Sequence, residues 1–416
     1  MTNMSLITIP EPEVLEELGV GQSLLEDLAL RILYLEGELS LNRLAEKMGL
    51  KLAIVEEIFQ HLRKRQLCEV KGMTGNFYRI APTSQGKARG LESFSMTQYV
   101  GPAPVSLVDY ANRVKAQSAR GAVIRPADLR RAFEDLVLDD ETLRQLGTAI
   151  TSETSILLYG PTGTGKTAIA VRLPGIYQDQ VWIPYAVEVN AQIIPVYDSS
   201  VHQGMDQNAL PESDGRWALC QRPRVMAGGE LTIEMLDLQF DPVRKFYAAP
   251  LQMKANNGVM FIDDFGRQRI SPEEMLNRWI LPLDRRIDFL TLAGGKKFEI
   301  PFDLLVVFAT NLDPSKLADE AFLRRIQNKI KVSWVTREQF HAIFRRVCKH
   351  LGLTYDAAVV DRLIDVLTEE LKQPLRACYP HDILHRICWA AVYEGKPPRL
   401  ESETVAQACR NYFLSP

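Results

Sequence analysis

The stretch Ser-Ile-Leu-Leu-Tyr-Gly160-Pro161-Thr162-Gly163-Thr164-Gly165-Lys166-Thr167 constrains this chain more than any other. An apolar run of strand length meets a glycine-rich turn, and a helical pattern follows at once. Glycines let the backbone curl so that successive N–H groups converge on one point. The first turn of the following helix adds its dipole, and together they make an anion cradle. The GxxxxGK[ST] spacing sets Lys166 against the outer phosphates of a nucleotide and the Thr167 hydroxyl against Mg²⁺. The alternative is a glycine-rich turn that fits by chance, and the flanking strand and helix argue against it. A strand ending in such a turn needs a parallel sheet with helices on both faces.

Two further strands serve the same cradle. Gly258-Val-Met-Phe-Ile-Asp263-Asp264 is an apolar run ending in two carboxylates. Asp263 is the metal-side candidate, and Asp264 is placed to polarise an attacking water. Two acids at a strand end also serve plain solubility, so the pair gains its meaning from the glycine-rich loop. Leu-Leu-Val-Val-Phe-Ala-Thr-Asn311 ends in a polar residue that also opens the turn Asn-Leu-Asp-Pro.

These three strand ends resemble the AAA+ superfamily of ring-forming ATPases. The resemblance implies ATP and Mg²⁺ as cofactors, ATP hydrolysis, and a homo-oligomer with a hexamer as the expected form. It makes Asn311 the first sensor, which holds the water near the γ-phosphate. It places an arginine finger in Asp-Glu-Ala-Phe-Leu-Arg324-Arg325-Ile, with Arg325 favoured, Arg324 as the fallback, and the neighbouring subunit's nucleotide as the target. A guanidinium suits that task because it stays charged and meets phosphate oxygens with a planar fork. The bland reading of the same residues is an exposed basic turn making surface ion pairs.

Two positions depart from the family pattern. Relatives usually carry Asp-Glu where this chain has Asp263-Asp264, so the second acid is one methylene shorter and turnover is expected to be slow. At the second sensor an arginine is expected after a proline that opens a helix, but here Pro380 is followed by His381, which is only partly charged near neutral pH. Arg376 and Arg386 are the substitutes on offer.

Ile-Asp-Phe-Leu-Thr-Leu and Lys-Lys-Phe-Glu-Ile-Pro-Phe, joined through Ala293-Gly294-Gly295, read as a β-hairpin just before the Asn311 strand. It looks like the pre-sensor hairpin of the branch that contains MoxR-like ATPases, where the hairpin lies near a central pore; a plain structural hairpin is the competing reading.

The expected organisation is a winged helix-turn-helix domain over residues 1–92, a linker over 93–108, an α/β ATPase domain over 109–334, and an all-helical lid over 335–416. Thr167 and Asp263 stand 96 positions apart, more than a crossover helix and a strand require. An insertion is therefore expected over 198–256, either facing the substrate or elaborating the rim.

Composition narrows the partners. The net charge is −3, with 24% charged and 46% hydrophobic residues, ordinary for a soluble protein. Six scattered cysteines form no metal-binding or disulfide pattern, and no apolar run spans a bilayer, so a cytoplasmic protein without membrane insertion is expected. Residues 51–89 hold eight basic and three acidic residues, yet the start of their recognition helix, Lys-Leu-Ala-Ile-Val-Glu-Glu, has few groups able to read bases. A protein client or adaptor is therefore favoured as partner over DNA.

Overall fold

The computed structural model describes residues 8–205, 213–317 and 323–413. Its central sheet has five strands, all parallel: β1 (Ile156–Tyr159), β2 (Arg224–Ala227), β3 (Val259–Ile262), β4 (Leu305–Thr310) and β5 (Asn328–Lys331). They lie in the order β2-β3-β4-β1-β5. Side chains alternate between two buried faces, as a sheet covered on both sides requires. Ile156, Leu158, Val259, Phe261, Val307 and Ala309 face one core, while Leu157, Met260, Ile262, Val306 and Phe308 face another built around Trp279 and Phe265.

Three features of the expected organisation change. The segment over 93–108 is no free tether: the helix Ser84–Met96 runs into it, and Val105–Ser106 pairs in parallel with Ala186–Val189. Tyr99, Ala103 and Val105 are buried. The insertion starts earlier than residue 198, because Gln180–Pro184 pairs antiparallel with Trp217–Gln221. The stretch expected as insertion also contains β2, an edge strand whose exposed Arg224 and Met226 interrupt the apolar run that marks inner strands. Residues 206–212 of that stretch lie outside the described residues.

The hairpin ahead of β4 forms as Ile287–Thr291 and Lys297–Pro301. Its inward residues Leu290, Phe298 and Ile300 share a core with Val181, Trp182 and Leu219 of the insertion. Buried Asp288 pairs with Arg278 at 2.6 Å, which fixes the hairpin's base. Phe289 remains exposed on the outer face.

Ahead of the sheet, helices Gln22–Glu36, Leu41–Met48 and Leu52–Lys64 precede antiparallel strands Cys68–Thr74 and Phe77–Pro82, and Leu39–Ser40 pairs with the latter. Ser40 stands at the N-cap of the second helix, as expected, but its side chain accepts no capping bond. This unit is packed tightly on the insertion. A Cβ on Gly49 would stand 2.5 Å from the Gly215 carbonyl oxygen, so only glycine allows the two backbones to meet there. Beside them the ion pair Arg216–Asp214, 2.8 Å long with side chains 4% and 2% exposed, also donates from Arg216 to the Leu18 carbonyl at 3.2 Å.

The C-terminal part is helical. Thr336 caps α2 (Arg337–Leu351) by accepting from the Gln339 N–H, and Ala357–Asp365, α3 (Tyr379–Glu394) and Ser402–Tyr412 follow around Phe340, Phe344 and Ile383. Among the described residues no helix is long and apolar enough to cross a membrane. All six cysteines are unpaired.

Candidate active site

The carboxyl ends of β1, β4 and β3 lie side by side, so the loop after each opens on one cleft. Residues 160–165 leave β1 and lead into α1 (Lys166–Arg172), capped by Gly165 in a left-handed conformation. Asp263 and Asp264 follow β3, and Asn311 follows β4 between them and the loop. The cleft encloses about 520 Å³, within the range of small-molecule sites, and reaches from the Thr162–Thr167 segment to the helical domain.

Its polar end is closely interlocked. The Thr167 hydroxyl donates to Asp263 Oδ2 at 3.0 Å, a pair of hard oxygens of the kind that suits Mg²⁺. Among the described residues no group of three or more His, Cys, Asp or Glu could form a metal cage. Mg²⁺ commonly takes one or two protein oxygens and completes its shell with phosphate and water, so the residues present fit it. Asn311 Nδ2 donates to Asp264 Oδ1 at 2.9 Å. Asp264 is in the left-handed region at φ 48°, an uncommon conformation for a residue with a side chain, and its N–H is held by Asp263 Oδ1 at 2.9 Å.

Lys166 is buried, and its ammonium donates to the Gly160 and Pro161 carbonyls at 2.9 and 2.7 Å. Burial pushes its pKa below the ordinary lysine value, against the opposing pull of Asp263 and Asp264.

The cations expected from the helical domain separate. His381 lines the cleft. Arg376 instead packs against the loop at Gly163: a Cβ there would stand 3.2 Å from Arg376 Cδ, and the guanidinium lies over the Tyr379 ring at 5.6 Å. The Cys378 N–H donates to the Gly163 carbonyl at 3.2 Å, joining the loop to the helical domain. Arg386 lies over the Tyr412 ring and lines a different cavity.

The Arg324–Arg325 pair lies away from this cleft. Ser155 Oγ donates to the Arg325 carbonyl at 3.3 Å, and Ser155 precedes β1, so Arg325 stands at the amino end of that strand. About 13 Å of strand separates it from the loop at the carboxyl end. Its guanidinium donates to Asp284 at 3.4 Å, and Arg324 is exposed. Residues 319–322 of the same motif lie outside the described residues.

Two contributions had no signal in the sequence. Leu136, Val137 and Leu138 line the cleft, as do Ile343, Arg346 and Val347 of α2. Neither stretch belongs to a motif, and only the fold brings them together.

A family model described as "Domain of unknown function (DUF8689)" matches residues 336–411. No curated protein matches. Among solved structures, the RuvB Holliday junction branch migration motor of Thermotoga maritima is 13% identical, with 66% of this chain and 69% of that one covered and a TM-score of 0.39. Two mutants of the same RuvB give 13% and 12% identity. The first covers 68% of this chain and 73% of that one at a TM-score of 0.41, the second 65% and 69% at 0.39.

Proposed function

We propose that this chain is an ATPase of the AAA+ type that binds ATP with Mg²⁺ at the β1 loop and hydrolyses it in a homo-oligomeric ring, acting on a macromolecular partner. The observation that carries the reading is the convergence of Lys166, Thr167, Asp263, Asp264 and Asn311 at three adjacent strand ends. Loop N–H groups and Lys166 would hold the phosphates, and Thr167 and Asp263 would hold the metal, which when bound would supply positive charge to the phosphoryl oxygens. Asn311 fixes one oxygen of Asp264, leaving the other to orient a water toward the γ-phosphate.

Arg325 is the residue that makes the site a shared one. It stands at the amino end of β1, away from its own loop, a position that supports its reading as a finger for a neighbouring subunit's nucleotide.

A protein partner is favoured for the N-terminal unit, which we read as a winged helix. Its basic residues are largely paired within the chain: Lys51 with Glu11 and Glu13, Arg65 with Glu26, Lys71 with Glu69, Arg79 with Glu38, and Arg89 with Asp27. The third helix turns Ala53, Glu56 and Gln60 to solvent over its first turns and carries its exposed cations, Arg63 and Lys64, only in the last.

Hydrolysis measured against protein concentration tests the reading. Specific activity should rise with concentration as rings form. Activity that is absent at every concentration, with nucleotide still bound, would turn the chain into a nucleotide-switched regulator. Steeply salt-dependent stimulation by DNA would replace the protein partner with nucleic acid.

A further inference from the structure

Arg346 is a cation of the cleft with no part in the chemistry above. Arg346 shares a face of α2 with Ile343 and Val347, at the spacing that brings helical side chains together, and all three line the cleft. Its Nη1 donates to the Leu136 carbonyl at 2.7 Å across 210 positions of sequence. The neighbouring Asp135 accepts from Arg172 Nε, in the last turn of α1, at 2.7 Å. The wall that includes Leu136 is thus fastened on one side to the helix that begins at Lys166 and on the other to the helical domain.

Aliphatic side chains line the cleft around this fastening. Leu136, Val137 and Leu138 from before the sheet and Ile343 and Val347 from α2 line the same cleft as the phosphate loop and Asp263. A slot walled by aliphatic side chains from two domains suits a flat heteroaromatic ring, and it persists only while α2 lies against the wall. We propose that Arg346 is a positioning residue that clamps this slot around the base of a bound nucleoside di- or triphosphate. The inference rests on the nucleotide reading above. A clamp at the base end is indifferent to the number of phosphates, whereas a cation contacting the γ-phosphate would favour ATP over ADP.

The test is calorimetric titration of the full chain with Mg-ATP and with Mg-ADP, for the wild type, R346A, R346M and K166A. R346M keeps an unbranched side chain to pack against Ile343 and Val347, so it guards against a fold defect in R346A. Loss of one charge-assisted bond should weaken ATP and ADP alike, by about tenfold. Wild-type affinity in either folded variant overturns the clamp, and so does a loss for ATP that exceeds the loss for ADP threefold or more. If the wild type binds neither nucleotide, or K166A binds both normally, the underlying site reading fails instead.

Discussion

Asn311 and Asp264, 47 positions apart in sequence, are joined by a 2.9 Å hydrogen bond from amide to carboxylate across the ends of adjacent strands. The bond bears on the shorter side chain at this position. Asp264 lacks the reach of glutamate, and its left-handed backbone and its bond to Asn311 fix where its carboxylate lies. Replacing Asn311 with Ala releases that carboxylate while leaving the phosphate loop intact. Steady-state kinetics should show kcat reduced about 10²-fold, with ATP affinity changed less than about threefold. A wild-type kcat in this variant would remove Asn311 from the chemistry.

Lys166 links nucleotide affinity to pH. Only its protonated form attracts phosphate, and burial holds its pKa below the ordinary lysine value of 10.5. Affinity should therefore be level through neutral pH and fall as pH rises through the lowered value, by about tenfold per unit beyond it. Calorimetric titrations across the alkaline range measure this decline, which should begin below pH 10.5. Lys166→Met should bind weakly throughout and lose the alkaline dependence. An unchanged pH profile in that variant would assign the effect to another group.

Arg325→Ala should separate binding from turnover. Nucleotide affinity should stay within about twofold of wild type, while hydrolysis falls by about 10³-fold, the scale of a lost arginine finger. Mixing this variant with Lys166→Ala subunits should restore part of the activity, because an intact Arg325 can then face an intact loop. Normal turnover by Arg325→Ala alone would end the shared-site reading.

Asp214→Ala leaves the Arg216 guanidinium buried without its counter-charge. Removing one partner of such a pair costs about 3–5 kcal/mol, so thermal denaturation should show a marked loss of stability. The loss should appear first in the N-terminal unit, whose Leu18 carbonyl accepts from the same arginine. Hydrogen exchange in Leu15–Leu18 reports this directly, and unchanged protection there would show that the unit is held by other contacts.

The parts of the site that were legible in the sequence are those written contiguously. Residues 160–167 hold strand end, turn and helix start in one run, and the apolar strands before Asp263 and Asn311 are inner strands buried on both faces. β2 was hidden because an edge strand alternates exposed Arg224 and Met226 with buried Val225 and Ala227, which leaves only two apolar residues facing the core. The insertion's boundary was hidden because Gln180–Pro184 finds its partner in Trp217–Gln221, and no local pattern reports a distant ladder. Arg346 was hidden for the same reason, since a lone arginine on an amphipathic helix looks like any solvated one until Leu136 is placed opposite it.

The contact between Gly49 and Gly215 carries a mechanical consequence. Two backbones in van der Waals contact, backed by a buried ion pair, give a joint with little slack. The N-terminal unit is thus an outrigger braced to the insertion, whose chain runs directly into β2 at the sheet's edge. The unit's position relative to the sheet's edge is thereby set by the joint, where a flexible leash would leave it free.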